Sequence, residues 1–197
     1  SRIRFATRIP EDPRAEAILY RAIQYEAAAG NHRGVQELGN RLLSWQPLQD
    51  PTLALETQLL QAQSYYDTGD FASAEQAYSA ALADMPADDG RRSQLRDSLA
   101  ASVYQQGEQL LNAGEKQAAV TEWLRVAQSA PGTEISARAR YDAAGLLLEM
   151  GDYQDALVVM TDLRAAQPDH ELTSQLPGRM AGQGDAVRRD GQEDIAP

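Results

Sequence analysis

Small and apolar residues recur along this chain at the spacing of one face of an α-helix. Between Gly69 and Pro86 they are Phe71, Ala74, Ala77, Tyr78, Ala81 and Leu82, at steps of three and one. The same places between Gly114 and Pro131 hold Ala118, Ala119, Trp123, Val126 and Ala127. Between Gly151 and Pro168 they hold Tyr153, Ala156, Met160 and Leu163. A second stripe lies upstream of each Gly. Residues 56–68 carry Leu59, Ala62, Tyr65 and Tyr66, and residues 138–150 carry Tyr141, Ala144, Leu147 and Leu148. Two such stripes broken by a glycine predict a helical hairpin.

The hairpin repeats. Gly30-Asn31, Gly69-Asp70, Gly114-Glu115 and Gly151-Asp152 are each followed, 17 residues after the Gly, by Pro47, Pro86, Pro131 and Pro168. Glycine ends one helix in the left-handed conformation that it adopts cheaply. The Asn, Asp or Glu after it is placed to accept the free N–H groups opening the next helix. The proline stops that second helix, since it lacks an N–H and clashes with the preceding turn. Gly-to-Gly periods are 39, 45 and 37 residues, so the extra length falls between each Pro and the next Gly. In the middle unit the excess over ~34 residues is about three helical turns, which preserves an apolar face. Leu95, Leu99, Val103, Gly107 and Leu110 continue one stripe. They predict a long helix from about Arg91 to Asn112, capped by Asp88 or Asp89.

These positions resemble the tetratricopeptide repeat. Ala62, Tyr65, Gly69-Asp70-Phe71, Ala74, Tyr78, Ala81-Leu82 and Pro86 match most of that family's signature. Gly107, Gly114, Ala119, Trp123 and Pro131 match in the third unit. Ala144, Gly151-Asp152-Tyr153, Ala156 and Pro168 match in the fourth. The first unit is degenerate, with Val35 and Gly39 where Ala and an aromatic are usual. The resemblance implies an all-α fold: a right-handed α-solenoid of about four hairpins with a long middle helix and a concave face. The repeats would span about 14–49, 52–88, 91–132 and 134–170, after an N-terminal lead-in at 1–13. Residues 171–181 are a candidate capping helix, interrupted by Pro177-Gly178, and the polar, Gly-bearing stretch 182–197 is expected to be disordered. If no helix caps the last repeat, further repeats or self-association would cover its apolar face.

The stretch Pro131–Met150, with Pro131-Gly132, Ser136-Ala137, Ala139, Tyr141 and Ala144, resembles tetratricopeptide proteins of the bacterial cell envelope. Those are of the barrel-assembly lipoprotein and Tol–Pal coordinator type. That resemblance implies a periplasmic or envelope-associated adaptor, with a cytoplasmic setting as the alternative. By matching the family's groove-facing positions, a binding groove would be lined by Tyr20, Gln24, Leu59, Gln63, Tyr66, Tyr104, Glu108, Leu111, Arg138, Tyr141 and Leu148. The family's basic clamp for a carboxylate terminus is missing at these positions.

Composition narrows the chemistry. The formal charge of −11 argues against non-specific nucleic-acid binding, which needs Lys and Arg on phosphates. It argues equally against docking on an anionic membrane surface. No apolar run reaches the ~18 residues of a membrane span. The absence of Cys removes disulfides, zinc fingers, iron–sulfur clusters and thiol catalysis. His32 and His170 both fall at expected loops, 138 residues apart, with no HExxH, GxSxG, GxxxxGK or GxGxxG pattern. The expectation is therefore a non-enzymatic scaffold or adaptor, with no catalytic, metal or cofactor residue, that binds a protein or peptide. The alternative is a regulatory or structural module of a larger protein. Charge is uneven as well. Residues 51–90 hold Glu56, Asp67, Asp70, Glu75, Asp84, Asp88 and Asp89 and no Lys or Arg, which suits a basic partner. Many of the 33 Ala residues fall at close-contact positions of the hairpins. A start at Ser1 rather than Met suggests a processed product or an excised piece.

Overall fold

The computed structural model describes residues 13–45 and 47–176. The lead-in through residue 12, the part of the expected capping helix at 177–181 and the tail 182–197 lie outside the described residues. Among the described residues the fold is all-α, with no strand. The helices are α1 (Pro13–Ala28), α2 (His32–Leu43), α3 (Pro51–Asp67), α4 (Phe71–Asp84), α5 (Arg92–Asn112), α6 (Lys116–Ser129), α7 (Glu134–Met150) and α8 (Tyr153–Ala166). Residues 171–176 are also helical. The helices pack in consecutive pairs, as a repeat of hairpins does. The chain divides into two compact units, Ser1–Glu108 and Gln109–Pro197, and the division falls inside α5.

The same turn closes every hairpin. Gly30, Gly69, Gly114 and Gly151 have φ of 69°, 79°, 83° and 84°. Each donates its N–H three residues back, and the next residue donates five residues back. Gly69 reaches the Tyr66 carbonyl at 3.0 Å and Asp70 the Tyr65 carbonyl at 2.9 Å. This double bond satisfies two of the carbonyls that a helix end leaves open. The caps on the following helices are less uniform than the sequence pattern suggests. Asn31 accepts from the Gly34 N–H and Asp70 from the Ser73 N–H, both at 3.2 Å. Glu115 and Asp152 make no side-chain cap bond. Asp89, not Asp88, receives the Arg91 N–H at 2.9 Å, just ahead of α5.

In the first unit two apolar clusters form. Leu19, Ile23, Val35, Leu42 and Leu48 fill the first hairpin. Ala62, Ala74, Tyr78, Ala81, Met85 and Leu95 join α3, α4 and the start of α5. Each fully buried Leu or Val contributes about 1.5–3 kcal/mol. Between α2 and α3 the contact is apolar in part, through Leu60, and polar in part. Buried Gln61 donates to the Gln36 carbonyl at 3.1 Å and to Asn40 Oδ1 at 2.8 Å. Ser64 donates to the His32 carbonyl at 3.1 Å. Gly39 is the opening that admits Gln61: a Cβ there would stand 2.5 Å from the Gln61 Cδ. The residue that makes the first unit look degenerate in sequence is thus the seat of an interhelical amide. Glu16 adds a second polar tie. It is buried, and its carboxylate accepts the backbone N–H groups of Gln49 at 3.0 Å and Asp50 at 3.3 Å.

The second unit is built on small residues. Ala119, Ala137, Ala139, Ala143 and Ala156 are fully buried, which lets α6, α7 and α8 approach closely. Trp123, Leu147, Met160 and Leu163 fill the space beside them. The helical residues 171–176 bury Leu176 and Thr173. Three bonds hold this end. Gln167 donates to the Thr133 carbonyl at 3.2 Å, Thr173 to the Gln167 carbonyl at 2.7 Å, and Tyr141 to Gln175 Oε1 at 3.2 Å.

Gly39→Ala is expected to destabilise the protein by about 1–3 kcal/mol, because the added methyl must evict a bonded side chain. An ordinary helical Gly→Ala would do the opposite, gaining up to about 1 kcal/mol. Denaturant unfolding decides the sign. The double variant Gly39→Ala/Gln61→Ala should cost less than the sum of its two single changes.

Candidate functional site

One face of α3 organises the first unit's surface. Thr52, Leu55, Glu56, Leu59, Gln63 and Tyr66 lie within about 100° of one another at 3.6 residues per turn. A cavity of about 630 Å³ sits at the N-terminal end of this stripe, where Thr52, Leu55 and Glu56 meet Leu48, Asp84, Asp89 and Arg91. A smaller one of about 300 Å³ sits at the C-terminal end. There Gln63 and Tyr66 meet Tyr78 of α4 and Gln94, Asp97, Ser98 and Ala101 of α5. Leu59, half-buried against the core, lies between them. A third, mostly apolar cavity of about 760 Å³ lies on α1 and includes Tyr20, Gln24, Ile18, Tyr25 and Leu53.

The expected groove residues therefore fall into separate groups. Tyr20 and Gln24 share the α1 cavity, whereas Gln63 and Tyr66 share the α3–α5 cavity. Tyr66 also stacks edge-on against Phe71, with ring centroids 5.1 Å apart. Tyr104 and Glu108 are half-buried further along α5. The residues that α5 brings beside Gln63 and Tyr66 come from its first half, and the sequence matching missed them. The reason is register. Counted back from Gly114, Tyr104 and Glu108 take the inner positions. The contacts of α5 with α4 follow another count: Arg92 donates to the Leu82 and Met85 carbonyls at 2.9 and 2.6 Å, and Gln106 to Glu75 at 2.7 Å. An offset of 35 residues from α3 relates Gln63 to Ser98 and Tyr66 to Ala101. That constant offset was the signal available in the sequence.

In the second unit, Leu111 and Leu148 are half-buried. Arg138 is exposed and lies 3.6 Å from Asp142. Tyr141 is engaged by Gln175, as above. His170 is not the exposed loop side chain expected from its position. Its Nδ1 accepts the Leu172 N–H at 3.1 Å and its Nε2 lies 2.7 Å from Glu134 Oε2. The first bond puts the ring proton of the neutral form on Nε2, which donates to Glu134. Histidine here helps fix the start of residues 171–176. Among the described residues no three His, Asp or Glu side chains converge as a metal site requires. No helix among them is long and apolar enough to cross a membrane.

Electrostatics concentrate at the 630 Å³ cavity. Arg91 donates to Asp89 and to Glu56, both at 2.8 Å. These hydrogen bonds pull the Asp89 carboxyl down to about 2 and push the Arg91 guanidinium up. Burial raises the Tyr78 phenol, opposed by its bond with Ser98, and the Asp67 charge raises it further. Burial also raises Tyr20, and the Glu56 charge adds to the shift. No family model matches the chain, and no curated protein matches it.

Asp89 should titrate with a midpoint of about 2 when followed by its carboxyl carbon in NMR. Because its folded value is depressed, the stabilisation from pairing with Arg91 is present above the ordinary carboxylate value of 3.8. It is lost as pH falls from there through about 2. In Arg91→Gln the midpoint should return to the ordinary range, and a native midpoint near 4 would contradict the pairing.

Proposed function

We propose that this chain is a non-enzymatic scaffold of tetratricopeptide type. It binds an extended protein or peptide segment along the inner faces of the first helices of its hairpins. The observation that supports this reading is the α3 face. It presents a half-buried leucine, Leu59, between two cavities, with the amide and aromatic groups Gln63 and Tyr66 beyond it. Such a strip offers apolar anchoring and polar registration together, the combination that peptide-recognition grooves use. Alternate pockets along a rigid helix suit a ligand without secondary structure of its own. The resemblance of Pro131–Met150 to envelope repeat proteins supports an adaptor that assembles or coordinates a bacterial envelope complex.

A photo-crosslinking residue placed at Leu59 or Leu148 should yield discrete partner adducts in cells of the source organism. The same residue at Val158, 58% exposed on α8, should not. Adducts of equal strength at Val158 would contradict the inner-face reading. With a captured partner in hand, Tyr66→Ala should lower affinity at least tenfold if it is an aromatic anchor. Circular dichroism controls for loss of fold, since Tyr66 also touches the core.

A further inference from the structure

Both cavities on the α3 face have carboxylate side chains in their walls. In the 630 Å³ cavity three carboxylates, Glu56, Asp84 and Asp89, face one guanidinium, Arg91. Arg91 is already held by Glu56 and Asp89, so it has little left to offer an anion. Gln58, 7% exposed, fixes the Asp84 carboxylate by donating its Nε2 to Oδ2 at 3.0 Å. The other atom of that amide, Oε1, is buried without a hydrogen-bond partner.

The 300 Å³ cavity holds one carboxylate, Asp97, and no cationic side chain in its wall. Asp97 is exposed in its wall, and its side chain makes no hydrogen bond or ion pair among the described residues. Gln63 uses its Oε1 to accept from the Tyr78 hydroxyl at 3.3 Å and its Nε2 to donate to Asp67 Oδ1 at 2.7 Å. Its Oε1 and one of the two Nε2 hydrogens are thus engaged within the protein. Tyr66 belongs to the last turn of α3, where the helix dipole is negative. The nearby basic groups do not reverse this. Arg92 is turned to the Leu82 and Met85 carbonyls. Arg96 precedes Asp97 on α5, and successive helical residues diverge by about 100°.

We propose that the two cavities are paired cation subsites. They receive two Lys or Arg side chains of a single extended partner segment, with an apolar side chain on Leu59 between them. The cavity centres lie about ten residues apart on α3, or about 15 Å at 1.5 Å per residue. An extended chain advances about 3.3 Å per residue, so the two cations stand four or five residues apart. Seven carboxylates and no base within residues 51–90 add a long-range field that draws such a segment in. This inference rests on the inner-face reading and specifies its ligand.

The test uses fluorescein-labelled peptides on a neutral Ala/Ser background, read by fluorescence anisotropy against the full chain. One carries Leu flanked by two Arg residues four apart. The controls replace both Arg by Gln, replace both by Glu, or set the two Arg two apart. The diarginine peptide should bind at least tenfold more tightly than each control, and weaken as salt rises. Asp97→Asn and Glu56→Gln should each reduce its affinity several-fold, with circular dichroism unchanged. Equal binding of the Gln peptide, or no loss in Asp97→Asn, would overturn the cation subsites. If crosslinks at Leu59 persist in that case, the inner-face reading survives without them. Absent crosslinks at Leu59 together with no peptide binding would remove both.

Discussion

Every reversal of the chain within a hairpin depends on one backbone conformation. At Gly30, Gly69, Gly114 and Gly151 the chain takes a positive φ that carries a Cβ penalty for other residues. The turn aims two N–H groups at the open carbonyls of the helix just ended, so the reversal costs no unsatisfied backbone. Both stripes of a hairpin then face each other, and alanine at the crossing lets them close. The close packing of Ala62, Ala74 and Ala81, or of Ala119 and Ala144, has no meaning without that turn. Length between turns can vary, because what must be conserved is the phase of the apolar stripe rather than the count of residues.

Helix α5 shows what that freedom allows. Its first half packs on the second hairpin as the next helix of an ordinary repeat would, with Leu95 buried and Leu99 packed beside it in the second cluster. Its last turn leads to the Gly114 reversal and belongs to the second unit. About three extra turns keep the helix continuous and the stripe in phase between the two roles. The cavity beside Tyr66 is a product of this arrangement, since its α5 wall comes wholly from the first half.

Charge follows the same architecture. The acidic residues of 51–90 are partly consumed by structure: Asp70 caps α4, Asp84 receives Gln58, and Glu56 and Asp89 share Arg91. What remains is a surface on which the one guanidinium near the large cavity is already satisfied. Exposed ion pairs of this kind add little to stability, being screened by water and salt. Their consequence is the potential they leave at the α3 face.

Much of the fold was legible in the sequence, since hairpin reversal and stripe phase are local properties. Glycine spacing, the following proline and the 3.6-residue pattern are enough to predict the helices, the long α5 and their consecutive pairing. A local pattern carries no information about which residues two separate helices bring into contact. Tertiary packing alone decided that Gln61 would occupy the space over Gly39, that Glu16 would hold the N–H groups ahead of α3, and that His170 would bind Glu134. It likewise decided that Gln94, Asp97 and Ser98 would stand beside Gln63 and Tyr66. A helix of about six turns offers two registers of equal apolar phase, and only the contacts with α4 select between them.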